Sequence, residues 1–226
     1  EYLGIDKGWL LIRFASIIFF VVFFTLLIGR FTSSLGRDFL FVPVLLTGVW
    51  VLIIVMAAIS KRNAHPDEYV HLTATAYYED HWLPPVLDDE SIRDTYSVYG
   101  VSRLNNGEVY YLFAGKFHKL LQGFRINDYF SLRIFNICLF GMILLYTIKS
   151  NHARMVAIPF LLSSQIWYLF SYCNSDAFAL FIAFLVGCEL VNPKSQLYKF
   201  LTGERRLFSS GALIFGVLFA CLFLLK

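Results

Sequence analysis

Long apolar runs constrain this chain more than any other feature of its sequence. About 20 apolar residues at 9–28, and a second run at 39–59, are each long enough to cross a hydrocarbon core of about 30 Å. Four further runs follow at 129–148, about 155–172, 176–191 and 207–225. Residues 60–128, between the two groups, are polar, aromatic and too interrupted to cross. The sequence therefore predicts an all-α, polytopic membrane protein with six transmembrane helices.

Composition indicates the same class. Of the 226 residues, 58% are hydrophobic and only 15% are charged, against about 25% charged residues in soluble domains. The net charge of +3 is too small and too scattered to suggest a nucleic-acid partner. All 4 cysteines fall in apolar segments without metal-ligand spacing, which is typical of small core residues.

Lysine and arginine in the short loops predict the orientation of the spans. One set of short loops contains Arg30, Arg37, Lys149, Arg154, Lys194, Lys199, Arg205 and Arg206. Because cytoplasmic loops are enriched in basic residues, this set is predicted to be cytoplasmic. The chain then divides into two spans at 1–59, an extracytoplasmic loop at 60–128 and four spans at 129–226. The loop faces the outside of a plasma or inner membrane, or the lumen if the membrane is that of the ER.

The loop opens with two adjacent carboxylates, Asp67 and Glu68. If Pro66 opens a helix here, Asp67 and His71 share one face, with Glu68 beside them. A carboxylate pair at the mouth of a membrane bundle suits a general base or, together with His71, a divalent metal site. A structural role stays open, because acids in the first turn after a proline complement the helix dipole.

A second helix is predicted at 108–123. Tyr111 and other aromatic and apolar residues fall on one side, and Lys116 falls on the other. The segment is too short to span, so the pattern predicts an amphipathic helix on the outer membrane surface. Tyr111 and Lys116 are candidate substrate-binding residues.

Two charged residues lie at the outer ends of predicted spans. Asp176 begins the fifth span, and an ionisable residue in a span is a functional candidate, although helix capping explains this one equally well. Arg133 follows the outer start of the third span. Its guanidinium is suited to hold a lipid phosphate bidentately, and an interfacial anchor is the alternative.

The order of these features points to a family. An apolar span is followed by Pro66-Asp67-Glu68, a short helix ending in Trp82-Leu83-Pro84-Pro85, a Tyr110-Tyr111 helix, Leu132-Arg133 and Asn174-Ser175-Asp176. This ordered set, within residues 40–191, resembles the N-terminal part of GT-C glycosyltransferases. These multispanning enzymes use polyprenyl- or dolichyl-phosphate sugars. The likeness is closest to members similar to protein mannosyltransferases and aminoarabinose transferases.

The resemblance implies a transferase that moves a sugar from a polyprenyl- or dolichyl-phosphate donor to a glycan, lipid or protein acceptor outside the cytoplasm. It implies catalytic carboxylates at Asp67 and Glu68, with Asp67 as the base for the acceptor hydroxyl, and inversion by one direct displacement. The expected substrate-binding residues are His71, Arg133, Asp176, Lys116 and Tyr111. A divalent cation at Asp67, Glu68 and His71 is left open, because some relatives work without metal. The family usually has more spans, so we expect the protein to continue past Lys226.

The sequence also fits a second class of function and disfavours a third. The chain also fits a non-catalytic lipid-binding or scaffold subunit of an envelope-glycan assembly, with Asp67 and Glu68 as ordinary first-turn acids. A transporter is disfavoured, because the charges lie near the span ends and no predicted span is broken by Gly or Pro at mid-depth.

Overall fold

The structure, a computed structural model, describes residues 7–32, 39–86, 89–97, 99–106, 108–124, 126–204 and 209–224. Within these ranges it is all-helical, with 78% helix and no strand. An isolated antiparallel bridge joins Tyr96 and Ser102. The predicted all-α class is therefore confirmed.

Ten α-helices form in these ranges. The first four are α1 (Lys7–Thr32), α2 (Phe41–Ile59), α3 (Glu68–Asp80) and α4 (Val109–Leu121). The others are α5 (Asp128–Lys149), α6 (Asn151–Leu162), α7 (Ser164–Phe170), α8 (Asp176–Val191), α9 (Gln196–Leu201) and α10 (Ser210–Phe223). Two short 3₁₀-helices, Glu90–Thr95 and Arg103–Asn106, lie between α3 and α4. Both helices predicted in the loop are thus present, as α3 and α4.

Among the described residues, two helices are long and apolar enough to cross a membrane, namely Phe41–Ile59 and Tyr129–Lys149. The helices α6 and α7 make a third candidate only if they count as one span, and they meet at an angle of 97°. The helices α8 and α10 have 16 and 14 residues, short of the roughly 17–25 residues of a typical span. The described residues therefore contain two to three candidate spans, and the predicted six spans are not confirmed.

The span predicted at about 155–172 is not one continuous helix, because the helix breaks at Ser163. This residue has an extended backbone, with φ −123° and ψ 111°. Such a break leaves carbonyl groups at the end of α6 without helical partners. The Trp167 side chain satisfies one of them, since its Nε1 donates to the Phe160 carbonyl oxygen at 2.6 Å.

The core lies where α2, α5, α6 and α8 pack together. Its fully buried residues include Leu46, Ile53, Phe140, Ile143, Ala157 and Phe184. The Trp50 indole in α2 donates to the carbonyl oxygen of Ile137 in α5 at 2.9 Å, which ties these two helices. The C-terminal end of α2 and the N-terminal end of α5 consequently meet at one end of the bundle, where the polar region begins.

Helices α3 and α4 lie side by side and run in the same direction. Near their starts, His71 of α3 meets Tyr111 of α4. Near their ends, Glu79 meets His118. The two helices therefore form one packed pair, which brings their starts together.

The loop cations that predict the orientation differ in their surroundings. Arg37, Arg205 and Arg206 lie outside the described residues. Arg154 is fully buried, and its guanidinium donates to the carbonyl oxygens of Thr147 and Ile148 at the end of α5. It therefore stabilises that helix end instead of facing solvent.

Candidate functional site

The two adjacent carboxylates have opposite surroundings. Glu68 is fully buried at the first residue of α3, whereas the Asp67 side chain is 60% exposed. Asp67 has a left-handed backbone, with φ +52°, which aspartate adopts more readily than most residues. This conformation interrupts the helical path, so the prediction that Pro66 opens the helix is wrong. Asp67 precedes the helix, and its side chain diverges from that of Glu68.

Glu68 is held by Arg133 in the interior. Arg133 Nε lies 2.9 Å from Oε1 of Glu68, and Nη2 lies 3.1 Å from Oε2. The Tyr129 hydroxyl donates to the same carboxylate and accepts from Arg133 Nη2 at 2.9 Å. Because a buried charge is tolerated only when it is paired and hydrogen-bonded, this network is a requirement of the fold.

The remaining donors of Arg133 cap the end of α2. Nη1 donates to the carbonyl oxygens of Ala57 and Ser60 at 2.6 and 3.0 Å, and Nη2 donates to that of Lys61 at 3.1 Å. Carbonyl groups at a helix end have no helical partner, and a cation there complements the dipole. Arg133 is thus buried with its donors directed at protein acceptors. This position conflicts with the predicted role as a lipid-phosphate ligand.

Asp67 instead faces Arg103, a residue that the sequence did not single out. Arg103 Nη2 lies 3.9 Å from Oδ2 of Asp67, and Nη1 lies 4.0 Å from Oε1 of Glu108. Arg103 is 36% exposed and Glu108 is 2% exposed. The guanidinium therefore stands between an exposed and a buried carboxylate. A short helical turn in the loop brings Arg103 next to Asp67. No sequence spacing relates the two residues, so the charge of Arg103 was the one sequence feature that could have indicated its role.

His71 and Tyr111 form a buried pair one turn beyond Asp67. The Tyr111 hydroxyl lies 2.6 Å from Nδ1 of His71. Burial, followed by the charge of Arg103, lowers the pKa of His71 from 6.5 to about 3. Burial, with the charge of Glu108, raises the pKa of Tyr111. The phenol therefore stays protonated and shares a hydrogen bond with a neutral imidazole.

The predicted metal site does not form. The described part of the chain contains no group of three or more His, Cys, Asp or Glu side chains placed to hold a metal ion. Glu68 is paired with Arg133, and His71 is paired with Tyr111. Asp67 is turned toward Arg103, so the three expected ligands have different partners.

Asp176 shares the electrostatic surroundings of the acidic pair. It is exposed at the start of α8. The pKa of Tyr172 is raised to about 12 by burial first, then by Tyr168, and then by the charges of Asp176, Glu68 and Asp67. The three acids predicted from sequence thus act on one phenol, although they make no common cluster.

His65 packs the turn before α3 against the segment after α7. Its ring stacks on that of Tyr172, with centroids 4.5 Å apart and planes 7° apart. Neither ring nitrogen has a hydrogen-bond partner among the described residues. Burial lowers the pKa of His65, which the charge of Glu68 opposes and that of Arg133 reinforces. A neutral His65 therefore serves as an aromatic spacer, a role that its position in the sequence did not suggest.

Lys116 lies away from the other predicted site residues. Its Nζ donates to the Glu79 carbonyl oxygen at 3.0 Å and stands 4.2 Å above the Trp82 ring. Glu79 is near the far end of α3, about 18 Å along the axis from Asp67 at 1.5 Å per residue. Lys116 therefore joins α4 to the end of α3 and does not reach Asp67.

The predicted site residues thus separate into a group near Arg103, of which only Asp67 is exposed, and an interior network. Asp67, His71 and Tyr111 lie near Arg103, whereas Glu68 is part of the interior network. Comparison of the chain with protein-family models, with curated proteins and with solved structures gave no match.

Proposed function

We propose that this chain is a GT-C-type membrane glycosyltransferase module that moves a sugar from a polyprenyl-phosphate donor to an acceptor hydroxyl. The strongest support is the exposure of Asp67 beside a buried Glu68 that is paired with Arg133. The Glu68 carboxylate is buried and stabilises the fold. The Asp67 carboxylate lies in a left-handed turn and stays open to solvent beside Arg103, and we call this exposed edge of the polar loop the rim. Non-glycine residues in such conformations cluster at functional sites. The ordered motifs within residues 40–191 favour the same class.

In this mechanism Asp67 takes the proton of the acceptor hydroxyl as the hydroxyl oxygen attacks the anomeric carbon. The bond between that carbon and the phosphate oxygen breaks, and polyprenyl phosphate leaves in the bilayer. Inversion follows from a single displacement. A positioned general base contributes about 10²–10⁴-fold to such a step. Arg103 restricts the directions in which the Asp67 carboxylate points, and the neutral His71–Tyr111 pair supports the start of α3.

The transfer assay compares Asp67→Asn with the wild-type protein. Asparagine keeps the shape and most hydrogen bonding but removes the proton acceptor. We expect transfer from a purified polyprenyl-phosphate sugar to fall by about 10² or more, with an unchanged melting temperature. Asp80→Asn is the matched control, since Asp80 is an exposed acid at the far end of the same helix, and it should keep full activity. Near-normal transfer by Asp67→Asn would exclude Asp67 as the base.

The proposal puts residues 60–128, and hence the site, on the extracytoplasmic side of a multi-pass protein. Its support is the excess of Lys and Arg in the short loops of the opposite side. Tyr99 is 85% exposed, so Tyr99→Cys in a cysteine-free background should react with a membrane-impermeant thiol reagent in intact cells. Thr202→Cys, on the predicted cytoplasmic side, should react only after permeabilisation. The reverse pattern would overturn the topology.

The second candidate is a non-catalytic lipid-binding or scaffold subunit. The Glu68–Arg133 pair favours it, because half of the acidic motif serves folding. This candidate becomes the better account if Asp67→Asn and Asp176→Asn both transfer sugar at the wild-type rate.

A further inference from the structure

A cavity of about 1010 Å³ lies on the face of α3 opposite His71. Its walls come from the outer face of α3 and the first turn of α5, with Arg62 at the turn between α2 and α3. The two helices contribute Tyr69, Thr73, Ala76, Asn127 and Tyr129, among others. Ligand pockets usually enclose about 300–1,000 Å³, so this cavity has room for a sizeable polar group with part of a lipid.

The cavity lies at the level where the candidate spans end. Tyr129 is the first residue of the span Tyr129–Lys149, and Arg62 follows the end of the span Phe41–Ile59 by three residues. The polar headgroup region of a bilayer begins at this level. Tyrosine rings favour it, and Leu132 adds an apolar wall on the side of α5. The depth and the mixed lining suit the headgroup of a membrane lipid.

Arg62 is placed for an anion in a way that Arg133 is not. Arg133 is 1% exposed, and its donors are directed at Glu68 and at carbonyl groups of α2. Arg62 is exposed, and within the ranges that the structure describes it makes no hydrogen bond or ion pair. A guanidinium binds phosphate through two parallel N–H groups.

The neighbours of Arg62 do not oppose an anion. The carboxylate of Glu68, behind the Tyr129 ring, is already paired with Arg133. The Asn127 side-chain oxygen caps α5 by accepting from the Tyr129 N–H at 3.0 Å, which leaves its amide hydrogens as further donors. Among the residues whose side chains the structure describes, one cation and one amide thus face the cavity, and none of its lining residues is an acid.

We propose that this cavity binds the phosphate headgroup of a membrane lipid, with Arg62 as its charged ligand. The proposal goes beyond the transferase, because the cavity lies on the other face of α3 from the Asp67 side and needs no transfer reaction. The phosphate has two possible sources, a glycerophospholipid or a polyprenyl phosphate. Either would anchor the junction of α3 and α5 at the bilayer surface.

The test titrates the full chain, purified in detergent, with phosphatidylglycerol, with polyprenyl phosphate and with inorganic phosphate, and counts bound molecules by native mass spectrometry. Arg62→Gln should weaken lipid binding by about 10-fold or more, as expected for a charged hydrogen bond. Ala76→Trp should abolish binding by filling the cavity. Lys61→Gln is the matched control, because Lys61 is an exposed neighbouring cation that does not line the cavity, and it should bind as the wild type does.

Each outcome decides the proposal. Weakening by Arg62→Gln and Ala76→Trp, with normal binding by Lys61→Gln, supports it, and the lipid that is lost identifies the source of the phosphate. Equal weakening by Arg62→Gln and Lys61→Gln would mean general surface attraction and would overturn it. Unchanged binding by Ala76→Trp, or inorganic phosphate binding as tightly as the lipids, would also overturn it. Thermal melts check folding, and Thr73→Phe replaces Ala76→Trp if the latter does not fold. Failure here leaves the Asp67→Asn result untouched.

Discussion

The two carboxylates of the Asp67-Glu68 dipeptide lie in different surroundings. One is in the interior at the C-terminal end of α2, and the other is at the rim of the polar loop. At the interior end, Glu68 meets Arg133 in a bidentate pair that also caps a helix. At the rim, Asp67 meets Arg103 across 3.9 Å with 60% of its side chain exposed. Adjacent acids in a sequence therefore need not form a catalytic pair. A single left-handed residue at the start of α3 is enough to give them separate surroundings.

The two ion pairs differ in energy as well as in place. Removing one partner from a buried pair leaves an uncompensated charge and costs about 3–5 kcal/mol. An exposed pair at the rim is screened by water and contributes about 0–1 kcal/mol. Substitutions in the interior network should therefore strongly destabilise the protein, whereas on the proposed function substitutions at the rim should leave it folded and lower its activity.

The largest effect is expected from Arg133→Met. This change leaves Glu68 buried without its cation and leaves three carbonyl groups near the end of α2 without a donor. We expect a loss of about 3–5 kcal/mol in the free energy of unfolding. Denaturant or thermal unfolding in detergent measures it, with the exposed Arg62→Met as a control that stays near wild type. A loss below about 1 kcal/mol would remove the distinction between interior and rim.

The packing of α3 against α4 is tested by Gly115→Ala. A Cβ atom at residue 115 would lie 2.5 Å from the Thr75 carbonyl oxygen, so the helices must move apart. Overpacking of this kind costs about 1–3 kcal/mol. Gly123→Ala is the control, because a Cβ there meets nothing within 4 Å. Equal melting temperatures for the two variants would mean that the close packing of α3 against α4 at Gly115 does not stabilise the protein.

His71 should make stability depend on pH. Its pKa is lowered from 6.5 in the unfolded chain to about 3 in the folded protein. Between these values the unfolded state binds the extra proton, so stability falls as the pH drops below 6.5 and levels off below about 3. From pH 7.5 to 5.5 the loss due to His71 should be about 1 kcal/mol. His71→Gln should lack this part of the pH dependence, and an identical pH dependence in both proteins would contradict a buried neutral His71.

A change at the rim, Arg103→Gln, tests the exposed pair. Loss of the Asp67 contact should lower the free energy of unfolding by about 0–1 kcal/mol, and loss of the 4.0 Å contact with the buried Glu108 adds to this. On the proposed function, kcat should still fall by about 10-fold with little change in KM, because the Asp67 carboxylate loses the group that orients it. Arg103→Lys should restore part of the rate. Unchanged kcat in Arg103→Gln, with Asp67→Asn inactive, would show that Asp67 needs no partner.

Long apolar runs predicted the parts of the fold that depend on local sequence. The run at 176–191 became α8 over the same residues, and 39–59 became α2. The bend at Ser163 was missed, since an extended residue within an apolar run leaves the pattern intact. The predicted start of α3 was wrong because Asp67 adopts a left-handed backbone, which only its residue type weakly favours.

The candidate site was harder to predict because its contacts join distant residues. Glu68 and Arg133 are 65 positions apart, and no spacing rule relates them. From their residue types, Glu68 was predicted to be catalytic and Arg133 to bind substrate. Their burial and mutual pairing instead indicate a structural role. Arg103 was missed for the converse reason, since a charged loop residue carries no pattern until the fold places it next to Asp67.

The most direct test of the difference between the two carboxylates is to measure the unfolding free energy of Asp67→Asn and Glu68→Gln side by side in the same detergent. Both changes remove one negative charge from the same dipeptide and add no bulk. We expect Glu68→Gln to lose about 3 kcal/mol or more of unfolding free energy. Asp67→Asn should stay within about 0.5 kcal/mol of the wild type. Similar losses in the two variants, or a larger loss in Asp67→Asn, would contradict the assignment of Glu68 to the fold and Asp67 to the chemistry.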